Sequence, residues 1–545
     1  MTVVSVRKSE VKKIIGNKSD SDIDNILSMM GTAVESMGEN IVDVEVAPNR
    51  PDMLSESGVL MALKSFSGKK KFLQKFKLNK PRKNYDVLVD PNVKDVRPYT
   101  VCAIIHNLKF DDDKIREVMD IQEKLHNTIG RKRKKLAIGI YPLEKIKLPI
   151  IYKALAPEEI RFRPLEFPKE LNGKQILKQH PAGKDYGFLL EGKDKFPVFI
   201  DSNSEILSMP PIINSDKTGK ITHETKDIFI EVSGFDLEIQ KKTLNILTNI
   251  FGSFEGSIFQ MNVHYGSKLE RTPDFSPLKM DLNIENVNKL LGLSLTEKDV
   301  ELLLGKMGIE YKRGSALIPS YRVDVFHEVD LIEDIAIAYG YENFVPEIPE
   351  VSTIGEISKE EIIKGKIREV LIGLGLLETS SYHLTTKEHQ IDKLYLNNEK
   401  YFEVKNSKTE YALLRKDLSH YMLKILGENV DVEYPQEIFQ VGSVFSGSSG
   451  IEEKENLSIV IAPGNFTRMK QIFEYLARML NIGVKILKTD KYEPYFINGR
   501  VAEVIVNGKS SGYFGEVHPK ILKNFRIKMP VSLLEINLDE ILKIN

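Results

Sequence analysis

Three stretches rich in proline, glycine and charged side chains interrupt the apolar pattern of this chain. They are residues 68–84, 264–279 and 345–356. Such residues at this density mark connections between compact segments, and not the interior of helices or strands. The sequence therefore predicts four segments, which cover residues 1–75, 85–265, 272–347 and 355–545.

Length and composition agree with this division. A chain of 545 residues is too long for one hydrophobic core. Because 77 basic and 78 acidic side chains leave a net charge of −1, a nucleic-acid partner would have to be attracted by local basic patches. The single Cys102 excludes an internal disulfide bond. Neither a signal peptide nor a membrane-spanning run is recognisable, so we expect a cytoplasmic protein without a membrane partner.

The predicted fold class is α+β, with several domains. The first segment alternates strand-like and helical runs on either side of an NRPD motif, which we expect to form a turn. Segment 85–265 contains one long helical pattern among extended runs, including AIGIYPL at 137–143, YGFLLEG at 186–192 and DIFIEVSG at 227–234. Segment 272–347 has the order helix, helix, hairpin, helix, which is typical of a winged-helix module. The last segment again mixes strands and helices.

Carboxylates crowd the start of the last helix predicted in segment 272–347. Asp330, Glu333 and Asp334 have the spacing i, i+3 and i+4, which places them on one helix face, and Asp324 precedes the helix and can fold over its first turn. Four oxygen ligands of this kind suit Mg²⁺. Acidic side chains in a first helical turn are also favoured by the helix dipole without any metal. The spacing alone leaves both interpretations open.

Five motifs, spread over nearly the whole chain, resemble one known family. They are VEVAPNRPDMLSESGVLMAL at 44–63, GRKRKKLAIGIYPLEKI at 130–146, ILSMPPIINSDKTGKIT at 206–222, YRVDVFHEVDLIEDIAIAYGYENF at 321–344 and GRVAEVIVNGKSSGYFGEVHPKIL at 499–522. In this order they resemble the β subunits of phenylalanyl-tRNA synthetases of the archaeal and eukaryotic type.

The resemblance implies an α₂β₂ ligase that charges tRNA(Phe) with phenylalanine at the expense of ATP. The α subunit would hold the active site for phenylalanine and ATP. Segment 1–75 would be an N-terminal module, 85–265 an editing-like, tRNA-binding domain, and 355–545 an inactive class II synthetase-like antiparallel α/β domain that packs on α. It also implies that Mg²⁺ is bound by the winged-helix module 272–347 with a share from α. The implied ligands are Asp324, Asp330, Glu333 and Asp334.

A hydrolytic second site is expected for physical reasons. An apolar pocket for phenylalanine rejects tyrosine, which adds one hydroxyl, by only about a hundredfold. Hydrolysis of Tyr-tRNA(Phe) in segment 85–265 would supply the missing discrimination. The resemblance places the editing pocket at Phe199, Ser208, Glu231 and Ser233, where the archaeal pattern has leucine, serine, aspartate and threonine. Only Ser208 matches, and Phe199 is expected to narrow the pocket.

A basic run in the same segment is a candidate contact for the acceptor end of tRNA. It consists of Arg131, Lys132, Arg133, Lys134 and Lys135, and the basic joint 68–84 is a second candidate. Charge runs of this kind also occur simply as solvated surface.

Two other functions remain open on the sequence. The first is a stand-alone hydrolase of mischarged tRNA, which would deacylate without an α subunit. The second is a nucleic-acid-binding or scaffold protein that keeps the fold without activity. A DNA-reading winged helix is opposed by the acidic third helix, because phosphates would be repelled there.

Overall fold

The computed structural model describes residues 2–68, 76–351, 353–396, 400–447 and 450–543. The chain folds into two compact units, Met1–Ile348 and Pro349–Asn545. The first unit contains the three N-terminal predicted segments, and the part of the basic joint at residues 69–75 lies outside the described residues. The division into four segments stays a prediction.

An antiparallel sheet and three helices form the N-terminal part of the first unit. The strand Ile41–Val46 lies between Thr2–Arg7 and Ala33–Met37. Alternate side chains of Thr2–Arg7 and Ile41–Val46 are buried against the helices, as the period of two along a strand requires. The helices are Lys8–Ile15, Asp20–Met29 and Glu56–Phe66. In the NRPD motif, Pro51–Met53 forms a 3₁₀ turn, and the Ser55 hydroxyl caps the following helix, so the predicted turn is confirmed.

A large mixed sheet dominates the middle of the first unit. Its main strand order is Ile213–Asn214, Ile206–Met209, Phe196–Ile200, Ile150–Leu155, Asp86–Val89, Ser257–Tyr265, Tyr99–His106, Ile228–Gly234 and Leu136–Pro142. Two further strands pair with Ser257–Tyr265; they are Lys268–Thr272 and Leu78–Asn79. A small separate sheet pairs Arg161–Phe162 with Leu171–Asn172. The helices of this part are Asp112–Asn127, Gly173–Gln179, Pro181–Tyr186, Asp216–Gly219 and Leu237–Ser253.

Both faces of this sheet are covered, and the strand Ile228–Gly234 shows the consequence. All of its residues are buried. Ile228, Ile230 and Val232 pack into the cluster that contains helix Leu237–Ser253. Phe229 packs into a second cluster on the other face of the sheet. Because side chains alternate along a strand, Glu231 and Ser233 share the face of Phe229.

The third part of the first unit has the predicted order of elements. Its helices are Ile284–Leu291, Glu297–Lys306 and Glu328–Tyr339, and its sheet is made of Leu278–Asp281, Ser315–Ile318 and Glu310–Lys312. Thr296 and Asp299 form a capping box at the second helix. Apolar side chains from all three helices and the hairpin form one local core.

The second unit is built on a mostly antiparallel sheet flanked by helices. The strand order is Leu377–Glu378, Gln436–Ser446, Glu452–Ala462, Ser532–Asn537, Lys509–Val517, Phe496–Val506 and Val484–Lys488, and a small sheet pairs Leu384–Thr385 with Leu413–Leu414. The helices are Lys359–Gly373, Ser419–Glu428, Phe466–Met479, Pro519–Asn524 and Asp539–Leu542. Two cores lie on opposite faces of the large sheet.

The multidomain α+β prediction is therefore confirmed in outline, and one predicted element is wrong. YGFLLEG was expected to be extended, but Gly187–Leu189 is a short 3₁₀ turn that follows helix Pro181–Tyr186. Its apolar residues satisfy the helical and the extended pattern equally well over so short a run. Within the described ranges, no helix has both the length and the apolar character needed to cross a bilayer.

Candidate functional site

The four residues predicted for the editing pocket all lie in the interior of the large sheet. Each of them is buried, with an exposed fraction of at most 2%. Phe199 and Ser208 are direct partners on neighbouring antiparallel strands, and Glu231 and Ser233 come from the strand Ile228–Gly234. The fold thus brings the four residues into one region, but their side chains make different contacts there.

Tyr141 connects two of the four. Its hydroxyl donates to Ser208 Oγ over 2.7 Å and lies 3.3 Å from Glu231 Oε1 and 3.4 Å from Asn214 Oδ1. Gly139 makes this approach possible, because a Cβ atom at that position would overlap both the Tyr141 hydroxyl and Glu231 Oε1. Ser208 and Glu231 are therefore joined through a phenol that belongs to the chain itself.

Glu231 is a buried acid without a cation in hydrogen-bond contact. Burial raises its pKa to about 8, although the more distant Arg97 and the hydrogen bonds of Tyr141 and Ser233 act in the opposite direction. Among the described residues, no donor reaches Glu231 Oε2, which is inaccessible to solvent. At neutral pH this side chain is mainly a neutral carboxylic acid, which can donate as well as accept a hydrogen bond.

Phe199 and Ser233 contact other residues. The ring of Phe199 stacks on that of Tyr152 with 4.4 Å between the ring centroids. The Tyr152 hydroxyl donates to the Arg97 carbonyl over 2.8 Å. Arg97 in turn donates to Ser233, from Nε to the hydroxyl over 3.2 Å and from Nη2 to the carbonyl over 2.8 Å. These contacts fill the interior around the two residues, and neither of them lines a cavity that borders Glu231.

A cavity of about 430 Å³ borders Glu231. Its apolar wall comes from the helix Asp112–Asn127, the strand Leu136–Pro142 and the loop at 210–213; the residues include Ile115, Val118, Met119, Ile138, Ile140, Pro210, Pro211, Ile212 and Ile213. Its polar groups include Gln122, Glu123, His126, Arg133, Asn214 and Glu231. An apolar cavity with a few converging polar groups is typical of a small-molecule or cofactor site.

His126 lines this cavity but is not free to act as a base. The backbone N–H of Ile138 donates to its Nε2 atom over 2.8 Å, which fixes that nitrogen as an acceptor. Burial lowers its pKa to about 4, despite the opposing effect of Glu123. The imidazole is therefore neutral at pH 7 and holds the edge strand against the helix.

The basic run at 131–135 separates into two parts. Arg133 turns inward, where it donates to the Pro211 and Ile212 carbonyls over 3.2 and 2.9 Å and to Glu123 over 3.2 Å. The other four side chains are exposed; they are Arg131, Lys132, Lys134 and Lys135. Arg131, Lys132 and Arg133 have positive φ values of 46°, 54° and 61°, which form a left-handed turn beside the cavity wall.

The acidic cluster at the start of helix Glu328–Tyr339 contains a cation of its own. Arg322 donates two hydrogen bonds of 2.8 Å to Asp324 and one of 2.8 Å to Asp334. All three side chains are nearly inaccessible to solvent. Burial raises the pKa of Asp324, but the hydrogen bonds and charge of Arg322 outweigh it, so the net pKa is below its ordinary value. Asp334 receives only one of these bonds, and there burial wins and raises the pKa.

The NRPD motif lies close to Arg322. Arg50 and Asp52 form a buried ion pair of 2.8 Å. Together with Tyr321 and Arg322 they border a small cavity of about 30 Å³. The charge of Arg50 also acts on Asp324 and Asp334 and favours their ionised forms. The N-terminal part and the third part of the first unit therefore share one buried network of charges.

The remaining two predicted metal ligands lie elsewhere. Asp330 caps the helix, where its Oδ2 accepts from the backbone N–H groups of Phe326 and His327 over 2.7 and 2.8 Å. Glu333 is exposed. In the part of the chain that the structure describes, no three His, Cys, Asp or Glu side chains are arranged to hold a metal ion. Among the described residues the four predicted carboxylates do not form one such group, because Arg322 contacts two of them and the helix terminus a third. The Mg²⁺ site stays a prediction.

Tyr141 and Arg322 are the residues that the sequence analysis missed. Alternation along AIGIYPL places Tyr141 on the face opposite Ile138 and Ile140, which was a readable signal. Arg322 stands two residues before Asp324 in an extended run, so the two side chains point the same way. A cation inside an acidic cluster could have been found from that spacing.

Comparisons with known proteins agree over the whole chain. The family model described as tRNA synthetase B5 domain matches residues 280–341, and that described as phenylalanyl tRNA synthetase beta chain CLM domain matches residues 345–538. The phenylalanine–tRNA ligase beta subunit of Archaeoglobus fulgidus is 38% identical over 99% of this chain and 98% of its own length. That of Pyrococcus horikoshii is 37% identical over 90% of this chain and 89% of its own.

A solved structure gives the same result for the first unit's fold. It is an N-terminal fragment of the phenylalanyl-tRNA synthetase beta subunit from Pyrococcus horikoshii, with a TM-score of 0.59 and 35% sequence identity. The match covers 62% of this chain and 99% of the fragment.

Proposed function

This chain belongs to the family of phenylalanine–tRNA ligase β subunits, and we propose from that premise how its parts contribute to the enzyme. It is a ligase subunit that acts with an α subunit. The complex converts ATP, L-phenylalanine and tRNA(Phe) into AMP, diphosphate and L-phenylalanyl-tRNA(Phe). The observation that carries this function is 38% identity to a curated β subunit over 99% of the chain.

Charging by purified components tests this function. The chain alone is expected to form no aminoacyl-adenylate, because the synthetic active site lies on α. Mixing it with the α subunit should give phenylalanyl-tRNA(Phe), measured as acid-precipitable labelled phenylalanine. Adenylate formation by the lone chain would contradict this division of work.

The finer architecture is part of the proposal. Residues 1–75 act as an N-terminal module, 272–347 as a winged-helix module, and 355–545 as an inactive class II-like domain that packs against α in an α₂β₂ tetramer. The mixed strand and helix content of each part supports this division. A role in translation places the complex in the cytoplasm.

Hydrolysis of Tyr-tRNA(Phe) is proposed for segment 85–265. What supports it is the cavity of about 430 Å³, whose apolar walls suit an aromatic side chain and whose polar groups include the neutral acid Glu231. Filling the cavity is the test: a bulky Ile138→Trp substitution on its wall should slow deacylation of Tyr-tRNA(Phe) and leave phenylalanine charging intact.

The exposed basic side chains beside this cavity are proposed to guide the acceptor end of the tRNA. Arg131, Lys132, Lys134 and Lys135 are exposed on one turn, and Arg133 anchors that turn to the cavity wall. Replacing the four by serine should raise KM for tRNA and reduce its salt dependence. Arg133 is excluded from the set because its side chain holds the loop.

Binding of Mg²⁺ at the acidic helix is proposed to depend on the α subunit. Asp324 and Asp334 both accept hydrogen bonds from Arg322, so Glu333 and the Asp330 oxygen that does not cap the helix are the ligands of the predicted set that remain available. Mg²⁺ usually keeps several waters and takes only one or two carboxylates, so further ligands from α would complete a site. Titration calorimetry should detect Mg²⁺ binding to the complex but not to the isolated chain.

A further inference from the structure

Aromatic side chains fill the interior where the four predicted pocket residues meet. Tyr141, Tyr152 and Phe199 are fully buried, with exposed fractions of 0%. Tyr152 and Phe199 stack on each other, and Tyr141 lies against Phe229 with 5.7 Å between the ring centroids. A fully packed interior of this kind leaves no room for an additional ring.

The surroundings of the Tyr141 hydroxyl are those of a phenol-binding site. Ser208 Oγ, Glu231 Oε1 and Asn214 Oδ1 lie within 2.7 to 3.4 Å of it. A phenol in a buried site needs partners of this type, because an unpaired hydroxyl there costs about 1–3 kcal/mol. The chain supplies both the partners and the phenol.

Two of the three partners of this hydroxyl line the cavity of about 430 Å³, although Tyr141 itself does not. Glu231 and Asn214 line the cavity, whereas Ser208 does not. Since the Tyr141 hydroxyl contacts all three, it lies behind the part of the cavity wall that Glu231 and Asn214 form, on the side of Ser208. The space above Gly139 is filled by the same hydroxyl and by Glu231 Oε1. One oxygen of Glu231, Oε2, has no donor among the described residues and is inaccessible to solvent.

We propose that Tyr141 is a specificity-determining residue that occupies the binding position for a para-hydroxyphenyl side chain. This inference rests on the proposed editing function of the same cavity. With Tyr141 in place, a tyrosyl group enters the cavity but cannot place its hydroxyl between Ser208 and Glu231. The chain therefore hydrolyses Tyr-tRNA(Phe) slowly, and the identity of residue 141 sets that rate.

Deacylation of Tyr-tRNA(Phe) by the assembled α–β complex tests the proposal. Tyr141→Ala should accelerate hydrolysis by about tenfold or more, because the hydroxyl of the substrate then reaches its partners. Tyr141→Phe is the matched control: it removes only the oxygen, the ring still fills the space, and the rate should stay at the wild-type level. Adding Glu231→Gln to Tyr141→Ala should remove most of the gain.

Tyr141→Leu is a second variant that tests the same proposal if Tyr141→Ala does not fold. It keeps an apolar side chain in the core but removes the far half of the ring, and it should also accelerate hydrolysis. Phenylalanine charging is measured for every variant. Complexes that charge phenylalanine but show no acceleration with either Ala or Leu at position 141 overturn this proposal. Loss of charging in the wild-type complex would instead contradict the proposed function.

A binding measurement without tRNA gives a second readout. p-Cresol, which carries the same ring and hydroxyl as the tyrosine side chain, should raise the melting temperature of Tyr141→Ala. Apolar cavities created by removing a ring do bind small aromatic molecules. Wild type and Tyr141→Phe should show a clearly smaller shift, because p-cresol can enter their cavity but its hydroxyl cannot reach Ser208. Equal stabilisation of all three proteins would overturn the proposal.

Discussion

Two regions of the first unit bury acidic side chains, and they stabilise them in opposite ways. In the large sheet, Glu231 has no cation in contact, and burial raises its pKa to about 8. At the acidic helix, Asp324 and Asp334 share the guanidinium of Arg322. The first region avoids a buried charge by keeping a proton, and the second keeps its charges by pairing them.

This difference in how the acids are stabilised distinguishes the region of Glu231, which is a candidate binding site, from the region of Asp324 and Asp334, which has a structural role. A neutral acid in the wall of a cavity is a candidate ligand-binding group. Asp324 and Asp334 are instead held inside the chain by hydrogen bonds from Arg322, and the charge of Arg50 in the NRPD motif acts on both. An acidic cluster in a sequence therefore does not by itself indicate a metal.

Removing the guanidinium of Arg322 should have the largest effect on stability. Arg322→Met leaves Asp324 and Asp334 buried without a partner, and the free energy of unfolding should fall by about 3–5 kcal/mol. Urea unfolding followed by circular dichroism measures it. The control is Arg116→Met, an arginine whose side chain is 75% exposed, which should change stability by less than about 0.5 kcal/mol. If the two variants were equally stable, the paired-charge description would be wrong.

Replacing the neutral acid should change the pH dependence of stability. Because the pKa of Glu231 is raised to about 8 in the folded chain, the folded state keeps a proton that the unfolded state releases. Its contribution to stability is complete below the ordinary glutamate pKa and is lost as the pH rises toward 8. Between about pH 5 and pH 9 the wild type should lose on the order of 3 kcal/mol relative to Glu231→Gln. Parallel stability curves for the two proteins would show that Glu231 is not protonated.

Tyr141→Phe should have a smaller effect on the same network. It removes the hydroxyl that joins Ser208 to Glu231, and should cost about 1 kcal/mol. Tyr382→Phe serves as control, since Tyr382 is 82% exposed and should show no change. Thermal unfolding of both variants measures the difference. An unchanged melting temperature for Tyr141→Phe would show that the hydroxyl does not stabilise this network.

The smallest expected changes in stability distinguish the role of Asp330 from that of Glu333. Asp330→Ala removes the helix cap and should cost about 0.5–1 kcal/mol. Glu333→Ala should leave the stability of the isolated chain unchanged, because the side chain is exposed. Thermal unfolding compares the two. Equal losses in both variants would indicate that they act as one ligand set in the isolated chain.

Sequence patterns predicted elements well where one local rule decided them. The turn at NRPD followed from residue type and spacing. YGFLLEG was misassigned because a short apolar run satisfies more than one pattern.

The site was harder to predict because its contacts join distant strands. The family resemblance selected Glu231, but its contact with Tyr141 joins residues 90 positions apart. Nor could spacing show that Arg322 donates hydrogen bonds to both Asp324 and Asp334. Long-range side-chain pairing, and not local pattern, decided both.

Infrared spectroscopy of the Glu231 carboxyl group tests the central claim most directly. The difference spectrum of wild type minus Glu231→Gln reports the protonated C=O band of this one side chain as the pH is raised. We predict that the band persists at neutral pH and disappears with a midpoint near 8. A band that is already lost near pH 4.5, the ordinary range of a glutamate, would contradict the account.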